Sequence, residues 1–251
     1  MSSKHEFALY SAHISSQLNK ALVGSIILLE DQALVVRITS ILRLRPGERV
    51  VLFDQSVNLV VEILEAPSKK SLSCQVIVKS VNQIITPAIT FVLPILKRDD
   101  FETALYSLVE LGATRVQLVL TQKVQRTWGG EKEFERAQRI MVAAAEQSKN
   151  FAFPELYPPI ALSKCLEKIP VQAQKIYFDV DGQAALSLLN TIHAAAPQEL
   201  FLMVGPEGDL TSEEKELLRS YSFTFCVLTP TILRATQAVA VGLGMARTVL
   251  R

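Results

Sequence analysis

Two short stretches in the carboxyl-terminal half of the chain have the composition of ligand-binding loops. Gly205-Pro206-Glu207-Gly208-Asp209-Leu210 follows the apolar run Leu200–Val204, and Leu228-Thr229-Pro230-Thr231-Ile232-Leu233-Arg234 closes a second run that begins at Phe223. Glycine lets a backbone come close to a bound group, so Gly205 and Gly208 are candidates for such an approach. Loops of this kind offer main-chain N–H and C=O groups, and Leu228, Ile232 and Leu233 add apolar walls, as a small-molecule site requires. Arg234 brings a permanent positive charge. It can stabilise an anion or hold a phosphate, and it cannot act as a general base because it stays protonated. Glu207 has the chemistry of a base, although capping or backbone bonding suits its position better. Taken singly, Gly-Pro-Glu-Gly between a strand and a helix is also an ordinary turn. The pair of loops carries the argument.

The elements that must hold these loops can be read from local pattern. Thr211, with Glu214 three residues later, forms a capping box that starts a helix after the first loop. Both loops therefore leave the carboxyl ends of strands, where open α/β sheets bind ligands. From Ile89 onward, strands and helices alternate. Strands are expected at Ile89–Leu96, Val116–Leu120, Lys175–Val180, Leu200–Val204 and Phe223–Leu228. Helices are expected from Asp99, capped with Glu102, to Gly112, and over Lys132–Ser148, Ala184–His193 and the stretch after Arg234. Such alternation implies a mostly parallel sheet covered on both faces.

Residues 1–82 read as a separate module, with residues 83–251 forming the α/β domain. A helix is expected around Gln32–Ile41, then strands at Arg49–Phe53, Asn58–Leu64 and Ser71–Val81, the last with Leu72, Cys74, Val76 and Val78 on one face. A small β-barrel is the natural architecture. Arg37, Arg43, Arg45 and Arg49 fall within thirteen residues, with Lys69 and Lys70 later. Such a cluster reads either as a solvated face or as a phosphate contact.

Composition narrows the remaining classes. The chain has 251 residues and is 49% apolar, enough for one large or two modest cores. Lys plus Arg number 26 against 25 for Asp plus Glu, so no overall positive charge advertises a nucleic-acid partner and any contact must be local. No apolar run approaches the roughly 18 residues of a membrane span, and a cytoplasmic location is expected. Cys74, Cys165 and Cys226 lack metal or disulfide spacing and read as buried thiols, and His5, His13 and His193 are isolated, so no metal is expected.

At the two loops the chain resembles the ribosomal RNA small subunit methyltransferase E family of the SPOUT superfamily. That family carries Gly-Pro-Glu-Gly-Gly-hydrophobic and, later, Leu-Gly-x-Arg-Ile-Leu-Arg-x-Glu-Thr-Ala. This chain departs at Asp209, and it has Thr229, Thr231, Thr236 and Gln237 where the family has Gly, Arg, Glu and Thr. The likeness continues at Arg37–Asp54, similar to the family's His-hydrophobic-x-x-Val-Leu-Arg segment, with Arg37 in place of the His. It also runs through Lys97, Glu110-Leu111-Gly112, Arg126, Arg136, Ala144–Ser148 and Pro154.

The resemblance implies an α/β-knotted (SPOUT, trefoil-knot) methyltransferase domain with a small amino-terminal PUA-like β-barrel. It implies transfer of methyl from S-adenosylmethionine to ring nitrogen 3 of a uridine in the 16S ribosomal RNA of the small subunit, without a metal. On this reading Val204, Gly205, Gly208, Leu228, Thr229, Ile232 and Leu233 line the cofactor site and Arg234 is the catalytic cation. Arg37, Arg43, Arg45 and Arg126 contact RNA. Other readings are a non-catalytic RNA- or ribosome-binding paralogue, or an enzyme acting on a different nucleotide. Ala238, Gly242 and Ala246 repeat every four residues in the last helix, as do Ala240 and Gly244. That stripe suits either packing on the chain's own sheet or the homodimer found in SPOUT relatives.

Overall fold

The computed structural model describes residues 6–68 and 70–250, so His5 and Lys69 lie outside the described residues. The chain forms two compact units, residues 1–83 with 145–152, and residues 84–144 with 153–251.

The first unit contains β1 (Phe7–Tyr10), α1 (Ser15–Lys20), β2 (Ile26–Leu29), α2 (Gln32–Val36), β3 (Arg49–Phe53), β4 (Val57–Ser68) and β5 (Ser71–Val81). They make a five-stranded sheet in the order β1-β3-β4-β5-β2, with β1 parallel to β3 and the other pairs antiparallel. Leu18, Leu29, Ile38, Leu52, Leu59 and Leu72 fill its core. Asp31 caps α2 by accepting from the Leu34 amide at 3.1 Å. The helix expected over Gln32–Ile41 is present, but it loosens into a π-helical stretch at Arg37–Ile41. The apolar stretch before α2 contains β2, which four residues of unbroken apolar sequence do not signal by periodicity. One expectation needs correction. Val78 does not share the face of Leu72, Cys74 and Val76 and is 45% exposed, because a bulge pairs Val60 with Val78 and Val61 with Val76, reversing the alternation.

The second unit contains β6 (Ala88–Pro94), α3 (Arg98–Glu110), β7 (Arg115–Leu120), the greater part of α4 (Glu131–Ser148), β8 (Glu155–Ala161) and α5 (Leu162–Leu166). It continues with β9 (Gln174–Ala184), α6 (Ala185–Ala194), β10 (Glu199–Val204), α7 (Ser212–Ser220), β11 (Thr224–Val227) and α8 (Ala235–Val249). Its six strands form a parallel sheet in the order β11-β9-β10-β6-β7-β8. Tyr177 and Met203 pack with Leu162, Leu166 and Leu218, which puts α5 and α7 on one face. Phe178, of opposite parity to Tyr177, meets α8 at Gly242, so the other face is covered as well.

One helix cap differs from expectation. The cap of α3 is Lys97 rather than Asp99, which lies with Asp100 in the first turn, near the positive end of the helix dipole. Glu102 instead accepts from Arg136 at 2.6 and 3.0 Å, a pair between α4 and α3. Glu146 accepts from the Tyr10 amide at 2.9 Å and from Arg37. The stop at Gly112 is as expected, with φ +79. Its carbonyl accepts from Arg247 Nε and Nη2 at 2.9 and 2.6 Å. No helix among the described residues is long and apolar enough to cross a membrane.

Candidate functional site

The strand order of the second unit reverses between β6 and β10. β6, β7 and β8 run outward in one direction, and β9, β10 and β11 occupy the other side. At this switch point, beyond the carboxyl ends of the strands, lies a cavity of about 780 Å³. Four segments build it. Lys97 and Asp100 come from the start of α3, Phe178–Val180 from β9, Val204–Glu207 and Asp209 from the loop after β10, and Leu228–Ala235 from the loop between β11 and α8.

The wall from β9 is not a regular strand. Phe225 pairs with Tyr177, yet Cys226 pairs with Gln183, so Phe178–Gly182 leaves the ladder as a five-residue excursion. Gly182 makes this possible, because its φ is +146 and a Cβ there would sit 2.3 Å from the Phe225 carbonyl oxygen. The sequence predicts a strand ending at Val180, and the observed β9 continues past it for this reason. The wall from β10 begins at Gly205, where a Cβ would come within 2.8 Å of Tyr177 Oη and 3.0 Å of Asp209 Oδ1. Thr211 and Glu214 form the expected capping box at 3.2 and 3.0 Å and fix where this loop ends.

Behind these walls lies a polar network. Tyr177 Oη donates to Asp209 Oδ1 at 2.9 Å, and Lys215 Nζ lies 2.7 Å from Asp209 Oδ2 and 2.9 Å from Asp179 Oδ2. Burial pushes the Tyr177 phenol well above its usual range, and the Asp209 carboxylate adds to this. Burial would also raise the carboxyl of Asp209, but Lys215, the Leu210 amide and Tyr177 outweigh it and hold the group below its ordinary value. For Lys215 burial acts downward, and its two carboxylate partners reverse the sign.

Of the residues expected at the cofactor site, Val204, Gly205, Leu228, Thr229, Ile232 and Leu233 line the cavity. Gly208 does not, and faces Lys123, whose Cβ would lie 3.4 Å from a Cβ added there. Thr229 Oγ1 donates to the Thr231 carbonyl at 2.7 Å and so ties its own loop. Glu207 Oε1 accepts from the Lys97 amide at 2.8 Å, and Oε2 is buried, so neither oxygen is presented as a base. Arg234 is exposed at the cap of α8, borders the cavity, and has no ion-pair partner among the described residues.

The arginines expected at RNA divide into two kinds. Arg43 and Arg45 are exposed on the turn before β3. Arg37 is engaged: Nη1 and Nη2 donate to Glu146 at 2.9 and 2.7 Å. Arg126 is also engaged, with Nη2 2.6 Å from Glu133, Nε donating to the Leu96 carbonyl at 2.5 Å, and its plane 5.5 Å from the Phe101 ring centre. Asp179 and Lys215 were not foreseen, since isolated charges carry no pattern. Asp209, at φ +57 in a glycine-like conformation, was the available signal. Among the described residues no three His, Cys, Asp or Glu are grouped to hold a metal ion.

Comparison with known proteins places this arrangement. Residues 85–247 match the family model described as an RNA methyltransferase domain. Ribosomal RNA small subunit methyltransferase E of Mycobacterium bovis is 28% identical over 209 residues, covering 80% of this chain and 79% of that protein. The protein of the same name from Rickettsia conorii is 24% identical over 211 residues, covering 84% of each. The crystal structure of ribosomal RNA small subunit methyltransferase E from Neisseria gonorrhoeae, bound to S-adenosyl methionine, superposes with a TM-score of 0.81 at 23% identity, covering 98% of both chains, a likeness of fold. The matched residues make up more than half of the chain, which therefore belongs to the RNA methyltransferase domain family.

Proposed function

We propose that the chain transfers the methyl group of S-adenosylmethionine to ring nitrogen 3 of a uridine in 16S ribosomal RNA, with the small ribosomal subunit as substrate. The observation that carries this reading is the cavity at the switch point, ringed by the two glycine- and proline-bearing loops, with Arg234, which has no ion-pair partner among the described residues, at its edge. Its volume of about 780 Å³ lies within the range of small-molecule sites. The residues fit the cofactor: Val204, Leu228, Ile232 and Leu233 give apolar walls, and the loop backbones give donors and acceptors for an adenine.

The bound cofactor supplies a methyl group already activated on a sulfonium. The chain's part is to orient donor and acceptor in line and to favour the uridine anion. In the balanced reaction the methyl–sulfur bond breaks, a bond to N3 forms, the N3 proton is released, and S-adenosylhomocysteine is the second product. Arg234, at the N-cap of α8, stabilises negative charge on the uracil ring. Uridine presents N3 on its pairing edge, so the base is taken unpaired or flipped out. Arg43 and Arg45 supply phosphate contacts from a PUA-like barrel formed by the first unit. We further assign the trefoil knot of SPOUT proteins to the second unit, a homodimer formed through the half-buried face of α8 bearing Ala240 and Gly244, and a cytoplasmic location.

The test is to incubate the chain with methyl-labelled S-adenosylmethionine and small subunits lacking the modification, then to identify labelled nucleosides by mass spectrometry. Labelled 3-methyluridine is expected, and Arg234→Ala should lower kcat/KM by about 100-fold, the scale of losing one oriented donor to a developing anion. Another labelled nucleoside would transfer the activity to a different target. Subunit binding without any label would replace the reading with a non-catalytic one, in keeping with Thr231, Thr236 and Gln237.

A further inference from the structure

Two walls of the cavity, the Phe178–Gly182 excursion and the loop after β10, part beyond their last backbone pair, Phe178 with Val204, and a side chain of α7 bridges them there. Lys215 Nζ lies 2.9 Å from Asp179 Oδ2 on the first wall and 2.7 Å from Asp209 Oδ2 on the second. Each carboxylate also accepts from the amide that follows it, and Asp209 accepts in addition from Tyr177 of β9. Asp179 Oδ1 accepts from the Val180 amide at 2.7 Å, and Asp209 Oδ1 accepts from the Leu210 amide at 2.7 Å and from Tyr177 Oη at 2.9 Å. The ammonium further lies 5.9 Å from the centre of the Tyr177 ring. Its side chain is 18% exposed and that of Asp179 6% exposed, so water screens the pair with Asp179 weakly.

This network does something that packing alone does not. Asp209 occupies the left-handed region at φ +57, a conformation that costs a non-glycine residue energy unless its surroundings hold it. The hydrogen bonds to Oδ1 and the ion pair at Oδ2 hold it there. Without Lys215, the Asp179 carboxylate, whose side chain is 6% exposed, and the Asp209 carboxylate, whose side chain is 51% exposed, would face each other with no cation between them, and like charges repel, less strongly where water reaches Asp209. Beyond the Phe178–Val204 pair, the Tyr177–Asp209 hydrogen bond and the Lys215 ion pairs are the contacts that hold the walls together, and Lys215 belongs to neither wall.

We propose that Lys215, bridging Asp179 and Asp209, is a positioning residue that latches the two walls at the separation needed to bind S-adenosyl ligands. The affinity part rests on the cofactor reading given above, and the latch itself is testable without a ligand.

The test uses the full chain carrying Lys215→Met, Lys215→Arg or Asp209→Asn, with two readouts. Hydrogen–deuterium exchange without ligand follows peptides spanning 178–184, 205–211 and 212–220. Titration calorimetry with S-adenosylhomocysteine gives Kd. Lys215→Met should speed exchange in both wall segments together and weaken Kd by about tenfold or more, the usual scale of a coupling between sites. Lys215→Arg should restore most of both, because a cation is retained. Asp209→Asn keeps the side-chain shape and should give a smaller loss of the same kind, which serves if Lys215→Met does not fold. Faster exchange confined to 212–220, with 178–184 unchanged, would overturn the latch, as would a Kd for Lys215→Met within twofold of the parent. A parent chain that binds no S-adenosylhomocysteine would overturn the cofactor reading instead, and the exchange pattern would still decide the latch.

Discussion

Gly242→Ala is the substitution whose sign is set most clearly by the geometry. In an open helix, replacing glycine by alanine stabilises by about 1 kcal/mol. Here a Cβ would stand 2.4, 2.7 and 2.8 Å from Cε2, Cζ and Cδ2 of Phe178, a residue only 5% exposed. Overpacking of a filled core costs about 1–3 kcal/mol, and three ring atoms inside contact distance place this site at the upper end. The net expectation is a loss of about 2 kcal/mol, or roughly 4–8 °C in Tm for a domain of this size. Gly244→Ala is the matched control two residues along the same helix. Its nearest neighbour within the chain would be Leu111 Cδ2 at 4.0 Å, an ordinary contact, so at protein concentrations too low for association helix propensity should dominate and Tm should rise by about 2–4 °C. Calorimetric unfolding of both variants at two protein concentrations separates the intrachain effect from any change in association. A Tm for Gly242→Ala equal to or above the parent would refute the claim that this stripe packs on the chain's own sheet.

Two further outcomes follow from the first unit. A double-mutant cycle of Arg37→Ala and Glu146→Ala should give a coupling of about 1 kcal/mol, above a surface pair because the contact is bidentate and below a buried one because the Arg37 side chain is 39% exposed; a coupling near zero would return Arg37 to the pool of free cations. For Asp54, burial pushes the carboxyl up, but the amides of Val57 and Ser56 with the side chains of Ser15 and Asn19 outweigh it and leave the group depressed. A depressed carboxylate contributes stability that is complete above its unfolded value near pH 4 and lost as pH falls through the folded one, so Asp54→Asn should flatten the urea midpoint below about pH 4. An unchanged acid slope in that variant would count against this assignment.

How much of this was legible beforehand depends on how local each cause is. The α/β half announced itself because apolar runs and helical spacing repeat over short windows, and Gly112 and the Thr211–Glu214 box end and start helices through contacts within four residues. β8 was missed because Pro158 and Pro159 argue against a strand, yet β8 sits at the edge of the sheet, where missing donors are tolerated. The face of Val78 was misjudged because a bulge is a property of two strands and leaves no mark on one. In the site, the loops were visible through Gly and Pro, whereas Asp179 and Lys215 became partners only when β9 and α7 were brought together across 36 residues of chain. Arg37 and Glu146, 109 residues apart, escaped for the same reason.

The reversed strand order has a consequence for how the second unit is made. Within the sheet β6, β7 and β8 form one block and β9, β10 and β11 another, and the blocks share a single ladder, β6 with β10. Residues 88–92 of that ladder meet residues 199–203, so its formation closes a long loop and comes late relative to local pairing. Lys97 and Asp100 follow β6, while the remaining lining residues lie in or after β9, β10 and β11. The wall from α3 is therefore in place only once the two blocks have docked, and a ligand that needs that wall would stabilise the docked molecule.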